Sequence, residues 1–211
     1  MLLEEQRHSR RFGFPKMSQR SLFLTQPSAS AHVAGFSYWP EVFTASEERD
    51  WLRAIAALPF KPFEFHGYLG KRRIVSFGWR YDYSGRALRP STPMPDFLEP
   101  LRARAAAVCG LDAALLQQAL VTEYDAGVTI GWHRDKPMFE DVAALSLLSP
   151  CRLRLRRKRG TGWVRWTTEI APRSLYRLSG PARHEWEHSI PPVESKRYSV
   201  TFRTFVEDRR P

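Results

Sequence analysis

The chain has 211 residues, of which 43% are hydrophobic, so it is long enough to bury the core of one domain and is neither disordered nor fibrous in composition. Lysine and arginine outnumber aspartate and glutamate by 33 to 22, which gives a formal charge of +11. That excess favours polyanionic partners, nucleic acid before an acidic membrane surface.

The two cysteines, Cys109 and Cys151, are not spaced as a CxxC pair. This usage argues against a disulfide scaffold or a thiolate zinc site and fits a reducing compartment. No apolar run reaches the roughly 18 residues that a membrane span needs, and the N-terminus has no secretory apolar core. We therefore expect a cytoplasmic protein with no membrane partner. Separately, we expect a monomer.

Residues 1–34 are predicted to form a disordered N-terminal extension, because they mix arginine, serine, glutamine and proline without sustained periodicity. A first helix is predicted to begin at a Thr44 or Ser46 cap and to end at Pro59, since apolar residues recur between them at helical spacing. A second helix is predicted over residues 96–108.

From Ala119 onward the pattern changes to short segments separated by turn signals, which favours a sandwich, jelly roll or barrel. The chain is thus expected to be mainly β with flanking helices, an α+β fold, and no repeat or linker divides it. The predicted strands are Ala119–Tyr124, Val128–Asp135, Val142–Leu148, Arg152–Arg157, Trp163–Glu169, Arg173–Leu178, Glu185–Ile190 and Tyr198–Val206.

His133 and Asp135 lie two positions apart in a predicted strand, where alternation places both on one face, opposite Ile130 and Trp132. One more imidazole would complete a 2-His-1-carboxylate triad, which leaves positions open on iron(II) and suits an oxygenase. Alone, an HxD pair is a weak signal. His188 and His184 are both candidates for the third ligand, and spacing does not choose between them.

The last predicted strand carries Arg197 and Arg203 on one face, with Ser199 and Thr201 between them. Inward arginines are costly unless an anion meets them, and a dicarboxylate cosubstrate would do so. The arginines lie roughly 20 Å apart along an extended strand. We therefore expect one to bind the distal carboxylate and the other to serve the metal or substrate side. The alternative is an edge strand with solvated arginines.

These patterns together resemble the motifs of the AlkB family of iron(II)- and 2-oxoglutarate-dependent dioxygenases. The resemblance covers about residues 35–206 and implies an AlkB-like domain, residues 35–208, folded as a double-stranded β-helix, the jelly-roll form. The motifs are Tyr124-x-x-Gly127-x-x-Ile130-x-x-His133-x-Asp135, His188 followed by Ser-Ile-Pro, and Arg197-x-Ser-x-Thr-Phe-Arg203.

The resemblance also implies roles for individual residues. It makes His133, Asp135 and His188 the iron ligands and catalytic residues, and it favours His188 over His184. The residues implied to line the 2-oxoglutarate pocket are Tyr124, Arg197, Ser199 and Arg203.

Residues 60–83 are the densest aromatic and basic stretch, and the resemblance implies that they form a lid over the substrate. A flipped base needs an aromatic or imidazole face to stack on and cations to hold the flanking phosphates. The aromatic residues Phe77, Trp79, Tyr81 and Tyr83 alternate, so they could instead bury one face of a small sheet. The expected substrate-binding residues are His66, Tyr68, Arg73, Trp79 and Trp132.

The run from Arg152 to Arg159 alternates as well, with Leu153 and Leu155 predicted to face inward beneath a basic stripe. Such a stripe either grips a phosphate backbone or is a solvated strand face. The sequence leaves both interpretations open.

The function that the resemblance implies is oxidative dealkylation of N-alkylated DNA or RNA, which is alkylation repair. It would use iron(II), O2 and 2-oxoglutarate and would release succinate, CO2 and an aldehyde. Two alternatives are a demethylase or hydroxylase of a protein side chain, and a nucleic-acid-binding β domain with a vestigial metal site.

Overall fold

The structure is a computed structural model that describes residues 33–65, 67–82, 85 and 87–207. Most of the predicted extension, residues 1–32, lies outside the described residues. The elements in chain order are β1 (Phe36–Trp39), α1 (Ala45–Ala56), β2 (Lys61–Phe65), β3 (Tyr68–Phe77), β4 (Trp79–Asp82), β5 (Ala87–Pro90), α2 (Glu99–Cys109), β6 (Gln118–Tyr124), β7 (Ile130–His133), β8 (Phe139–Leu147), β9 (Cys151–Arg159), β10 (Gly162–Ile170), β11 (Ser174–Leu178), α3 (Gly180–His184), β12 (Glu187–Ile190) and β13 (Arg197–Phe205).

Two antiparallel sheets make up the body of the fold. The larger has the strand order β1-β11-β8-β13-β6-β3-β2, and the smaller has the order β10-β9-β12-β7. Side chains from both sheets, such as Val142 and Leu155, pack into one shared core between them. Strands β4 and β5 form a separate ribbon. The fold is therefore the predicted jelly roll with flanking helices.

Strand β13 lies inside the larger sheet, between β6 and β8, and every residue of it is buried. Val200 and Phe202 face a second core, where they pack with Ile55 of α1 and Leu101 of α2. The opposite face of β13 carries the predicted arginines and hydroxyls toward the smaller sheet. The alternative of an edge strand with solvated arginines is wrong, because β13 is paired on both sides.

All eight strands predicted from Ala119 onward are present as β6 to β13, with shifted ends. The predicted second helix is present as a 3-10 turn, Asp96–Leu98, followed by α2. The short helix α3 and the bounds of β2 to β5 were not predicted. Among the described helices, none has the length and apolar character that crossing a membrane requires.

Helix α1 begins with a capping box at Thr44. The Glu47 amide donates to Thr44 Oγ1 at 3.2 Å, and the Thr44 amide donates to the Glu47 carboxylate at 2.7 Å. The bond from the Thr44 amide is the main reason that the pKa of Glu47 lies below its usual value. Sequence and structure agree here because capping is local and needs no distant partner.

Thr44→Ala is expected to lower the free energy of unfolding by about 1 kcal/mol, whereas Thr44→Ser keeps the acceptor and most of the stability. Because the folded-state pKa of Glu47 is depressed, its contribution is present above the unfolded pKa and is lost as pH falls through the folded pKa. Urea unfolding of both variants at neutral and acidic pH tests this. Equal free energies of unfolding for Thr44→Ala and wild type at neutral pH would contradict the prediction.

Candidate active site

Strands β7 and β12 are neighbours in the smaller sheet, and their pairing sets His133 opposite His188. The two imidazole centroids are 4.2 Å apart. Asp135 follows β7 and brings Oδ1 to 3.7 Å from His133 Nε2 and 3.9 Å from His188 Nε2. Ligand atoms of the three residues all lie within 4.8 Å of one another, so a single metal ion could contact all three.

A β-bulge in β7 sets the direction of these side chains. His188 pairs with His133 but Ile190 pairs with Ile130, so β7 has one more residue than β12 between the two pairs. Ile130 packs against the core between the sheets, and His133 faces the same interior beside His188. The prediction that Ile130 and His133 lie on opposite faces is therefore wrong, because it assumed unbroken alternation.

The competing imidazole, His184, is the last residue of α3 and is not part of this cluster. Its Nε2 atom lies 2.9 Å from Glu140 Oε1, and its carbonyl accepts a hydrogen bond from Arg134 at 3.0 Å. The structure thus brings His188, and not His184, to His133 and Asp135.

The Asp135 carboxylate is buried beside Arg203, whose Nε donates to Oδ2 at 2.8 Å and whose Nη1 donates to Gln118 Oε1 at 2.8 Å. Burial alone would raise the pKa of Asp135, but Arg203 and the two imidazoles outweigh it and hold that pKa well below its usual range. Burial, with His133 acting in the same direction, lowers the pKa of His188 to about 3. At neutral pH the site therefore offers an ionised carboxylate and a neutral imidazole, the forms that bind a metal.

Arg197 is 1% exposed and has no ion-pair partner in the described part of the chain. Its Cζ atom lies 4.6 Å from the centroid of the Tyr124 ring, and its Nη2 donates to Ser146 Oγ at 3.1 Å. Its Nε and Nη1 atoms are buried without a hydrogen-bond partner among the described residues. A buried guanidinium with two unused donors is suited to bind a carboxylate, such as one end of 2-oxoglutarate, whose oxygens would accept both hydrogen bonds.

The four predicted cosubstrate residues lie together on the inner surface of the larger sheet. Tyr124 is opposite Arg197 in the pairing of β6 with β13, and Ser199 is buried two residues along. Arg203 marks the end of this surface nearest Asp135. Sequence reasoning missed Ser146, although a lone serine in the apolar run of β8 was a signal that could have identified it.

An open pocket leads from the surface to the triad. Its rim has both aromatic and cationic side chains, namely Phe63, Arg72, Tyr81, Arg134 and Lys136. The structure places Arg72 here instead of the predicted Arg73, which pairs with Glu123 at 2.9 Å. The reason is strand alternation, because neighbouring residues of β3 face opposite sides of the sheet.

Phe77, Trp79 and Tyr81 of the predicted aromatic row do not share one strand face, and Tyr83 lies outside the described residues. Gly78 ends β3 with φ +71, and a Cβ there would lie 2.2 Å from the Gln117 carbonyl oxygen, so only glycine fits. On either side of it, Phe77 is buried in the helix-covered core, whereas Tyr81 lines the pocket with Lys136 Nζ 4.4 Å from its ring centroid. Trp79, expected to bind substrate, packs against Phe205 with ring centroids 6.3 Å apart and does not line the pocket.

Of the remaining predicted substrate residues, Trp132 does not line the pocket. Trp132 lies on the outer face of the smaller sheet, with Arg156 Cζ 4.4 Å from its ring centroid. His66 lies outside the described residues, and only the backbone of Tyr68 is described, as the first residue of β3. The bulge in β7 turns Trp132 away from the core that Ile130 packs against, so the prediction that these two side chains share one face is wrong.

The sequence profile of the 2OG-Fe(II) oxygenase superfamily matches residues 35–203. The chain belongs to this superfamily. It is thus a 2-oxoglutarate-dependent dioxygenase that uses iron(II). This oxygenase is 30% identical to the alkylated DNA repair protein ALKBH8 homolog of Arabidopsis thaliana, across 76% of this chain and 51% of that protein. It therefore spans about half the length of that relative, and the match confirms the AlkB resemblance.

Solved structures share the fold of this chain. OsALKBH1 superposes with a TM-score of 0.62 at 14% identity, covering 81% of this chain and 96% of that one. A prolyl-4-hydroxylase of Pseudomonas putida superposes with a TM-score of 0.59 at 14% identity, covering 82% and 93%. At such low identity these likenesses establish the jelly roll and leave the substrate open.

Proposed function

We propose that this oxygenase removes N-alkyl groups from DNA or RNA, with His133, Asp135 and His188 holding the iron(II). The donor set supports the assignment of the iron ligands, because two imidazoles and one ionised carboxylate are the ligands of the facial triad that non-haem iron oxygenases use. The Arg203 contact supports it further, since a partner that orients a ligating carboxylate strengthens metal binding.

In this proposal Arg197 binds one carboxylate of 2-oxoglutarate, with Tyr124 and Ser199 beside it. The support is the buried guanidinium with two unused donors. Arg203 keeps Asp135 ionised and oriented, which is the metal-side role expected for one of the two arginines. When bound, iron(II) and 2-oxoglutarate supply the O2-dependent hydroxylation of a C–H bond, with succinate and CO2 as the other products.

On an N-methylated base, hydroxylation turns the methyl group into N–CH2OH. The N–C bond then breaks, the hydroxyl proton is passed to nitrogen through solvent, and formaldehyde leaves. Tyr81 and Phe63 at the pocket rim would stack on the base. Arg134 and Lys136 would meet the phosphates on either side of it.

The observation that carries a nucleic-acid substrate is the aromatic and cationic rim of the pocket above the triad. The formal charge of +11 acts in the same direction. The ALKBH8 homolog, named as an alkylated DNA repair protein, adds an independent argument.

Turnover of a substrate panel tests the proposal. Methylated single-stranded DNA and RNA oligonucleotides and methyl-lysine peptides are each incubated with iron(II), 2-oxoglutarate and O2, and mass loss and succinate are measured. We expect methyl loss from oligonucleotides coupled to succinate. Turnover of peptides alone would favour the protein-side-chain alternative, and salt-sensitive oligonucleotide binding without succinate would favour the non-catalytic one.

Tyr124→Phe is expected to raise the KM for 2-oxoglutarate about tenfold while kcat and the melting temperature change little. The variant keeps the ring beneath Arg197 and loses only the hydroxyl, which makes no hydrogen bond within the described part of the chain. Tyr38→Phe is the control, because the Tyr38 hydroxyl accepts from the Ala171 amide at 3.1 Å and serves the fold. A KM that changes equally in both variants would contradict the assignment of Tyr124.

A further inference from the structure

The face of the smaller sheet that points away from the larger one carries cations and indoles. On β9, Leu153 and Leu155 are fully buried between the sheets, so the residues that alternate with them face outward. On β10 the same alternation turns Trp163 and Arg165 outward. We call this surface the outer basic face, and its defining residues are Trp132, Arg152, Arg154, Arg156, Lys158, Trp163 and Arg165.

Arg156 lies between two indoles at the centre of the outer basic face. Its Cζ atom is 4.4 Å from the ring centroid of Trp132 and 4.1 Å from that of Trp163. Its Nε donates to the Glu187 carboxylate at 2.6 Å, which fixes the guanidinium in place. Trp163 nevertheless remains 37% exposed, so part of an oriented aromatic surface is open to solvent.

The charge of this face is not balanced. Five cations share it with two carboxylates, Glu169 and Glu187. Within the described residues, Arg152, Lys158 and Arg165 take part in no ion pair. Cations alone would fit a solvated strand face. An exposed indole, Trp163, and a half-buried one, Trp132, among cations are instead the combination that binds a single-stranded nucleic acid, because bases stack on the rings and phosphates meet the cations.

The outer basic face is continuous with the mouth of the active-site pocket. Trp132 and His133 are consecutive residues of β7, which is the edge strand of the smaller sheet. The next residue, Arg134, lines the pocket. A single-stranded nucleic acid with one nucleotide in the pocket can therefore pass over the edge of the sheet at β7. It would then cross the four strands of the sheet, a distance of about 14 Å.

We propose that the outer basic face binds the single-stranded flank of the nucleic-acid substrate. Bases stack on Trp132 and Trp163, and phosphates meet Arg152, Lys158 and Arg165. A single strand fits better than a duplex, since only unpaired bases expose the faces that stack. The inference rests on the proposed function in that the substrate is a nucleic acid.

Binding of an unmethylated, fluorescein-labelled 20-nucleotide oligo(dT), followed by fluorescence anisotropy, tests the surface without requiring turnover. Lys158→Glu/Arg165→Glu is expected to weaken binding at least about tenfold and to reduce the slope of log K against log salt by about 1.4, for two phosphate contacts. Trp163→Ala, which changes no charge, is expected to weaken binding about tenfold.

A matched control is Arg49→Glu/Arg53→Glu on α1, which makes the same change in net charge on another surface. It is expected to bind oligo(dT) within about twofold of wild type. Equal weakening in this control, or unchanged binding by Trp163→Ala, would overturn the proposal. Binding of polyglutamate is measured in the same way. If it is lost in Lys158→Glu/Arg165→Glu but kept in Trp163→Ala, the surface binds an acidic peptide and the proposal is overturned.

Turnover separates this inference from the proposed function. The variants of the outer basic face are expected to raise the KM for a methylated 20-mer and to leave the KM for a methylated trinucleotide unchanged, because the trinucleotide reaches only the pocket. If wild type demethylates neither, the proposed function fails, and the oligo(dT) result still decides whether the surface binds a single strand. If both KM values rise together, the surface is not a site for the flank.

Discussion

His188→Ala is expected to abolish iron binding and succinate release. Loss of a residue that merely orients a metal ligand weakens metal affinity by roughly 10–100-fold, so loss of a ligand should exceed about 100-fold. Iron(II) that binds only the folded protein raises its stability, by about 2.7 kcal/mol at 100 times the Kd. Anaerobic unfolding with and without iron(II) therefore measures binding independently of turnover.

The matched control is His184→Ala. His184 pairs with Glu140 and is not part of the triad, so its loss should leave both the iron-dependent stabilisation and the succinate yield near wild type. The reverse result, in which His184→Ala loses iron and His188→Ala keeps it, would mean that His188 is not a ligand. The sequence spacing alone allowed either outcome.

Much of the jelly roll was predictable because its strands are separated by strong local turn signals. The eight strands after Ala119 follow from alternation and from turns, both of which act within a few residues. Pairing between distant strands is different, since the bulge in β7 exists only where β12 lies beside it. Because the sequence does not show that bulge, Trp132 was assigned to the same face as Ile130, and only Ile130 packs against the core.

The active-site motif was predictable where spacing within one strand determines it, as for Arg197 and Arg203 on β13. That their roles differ was also expected, but which arginine takes which role was not, because this depends on the partner that each arginine meets across the sheets. Asp135 meets one of them, and Ser146 meets the other. The aromatic row that included Trp79 was predicted wrongly for a related reason, since Gly78 breaks the strand and resets the alternation on which the row was predicted.

Arg197→Met is expected to raise the KM for 2-oxoglutarate by at least about 100-fold. Hydrogen bonds to charged groups contribute about 1.5–3 kcal/mol each, and the variant removes two donors from a carboxylate. Methionine fills much of the same volume without burying a charge. Succinate release measured against 2-oxoglutarate concentration gives the KM, and a melting shift on adding 2-oxoglutarate gives binding independently of chemistry.

Replacing the two arginines should have different effects on the free energy of unfolding of the cosubstrate-free protein. Arg197 is buried without an anion, so Arg197→Met should leave the free energy of unfolding unchanged or raise it. Arg203 holds the buried Asp135 carboxylate, so Arg203→Met should lower it by about 3–5 kcal/mol. If urea unfolding shows Arg197→Met to be the more damaging change, and the KM for 2-oxoglutarate stays at the wild-type value, then Arg197 serves the fold and the carboxylate binds elsewhere.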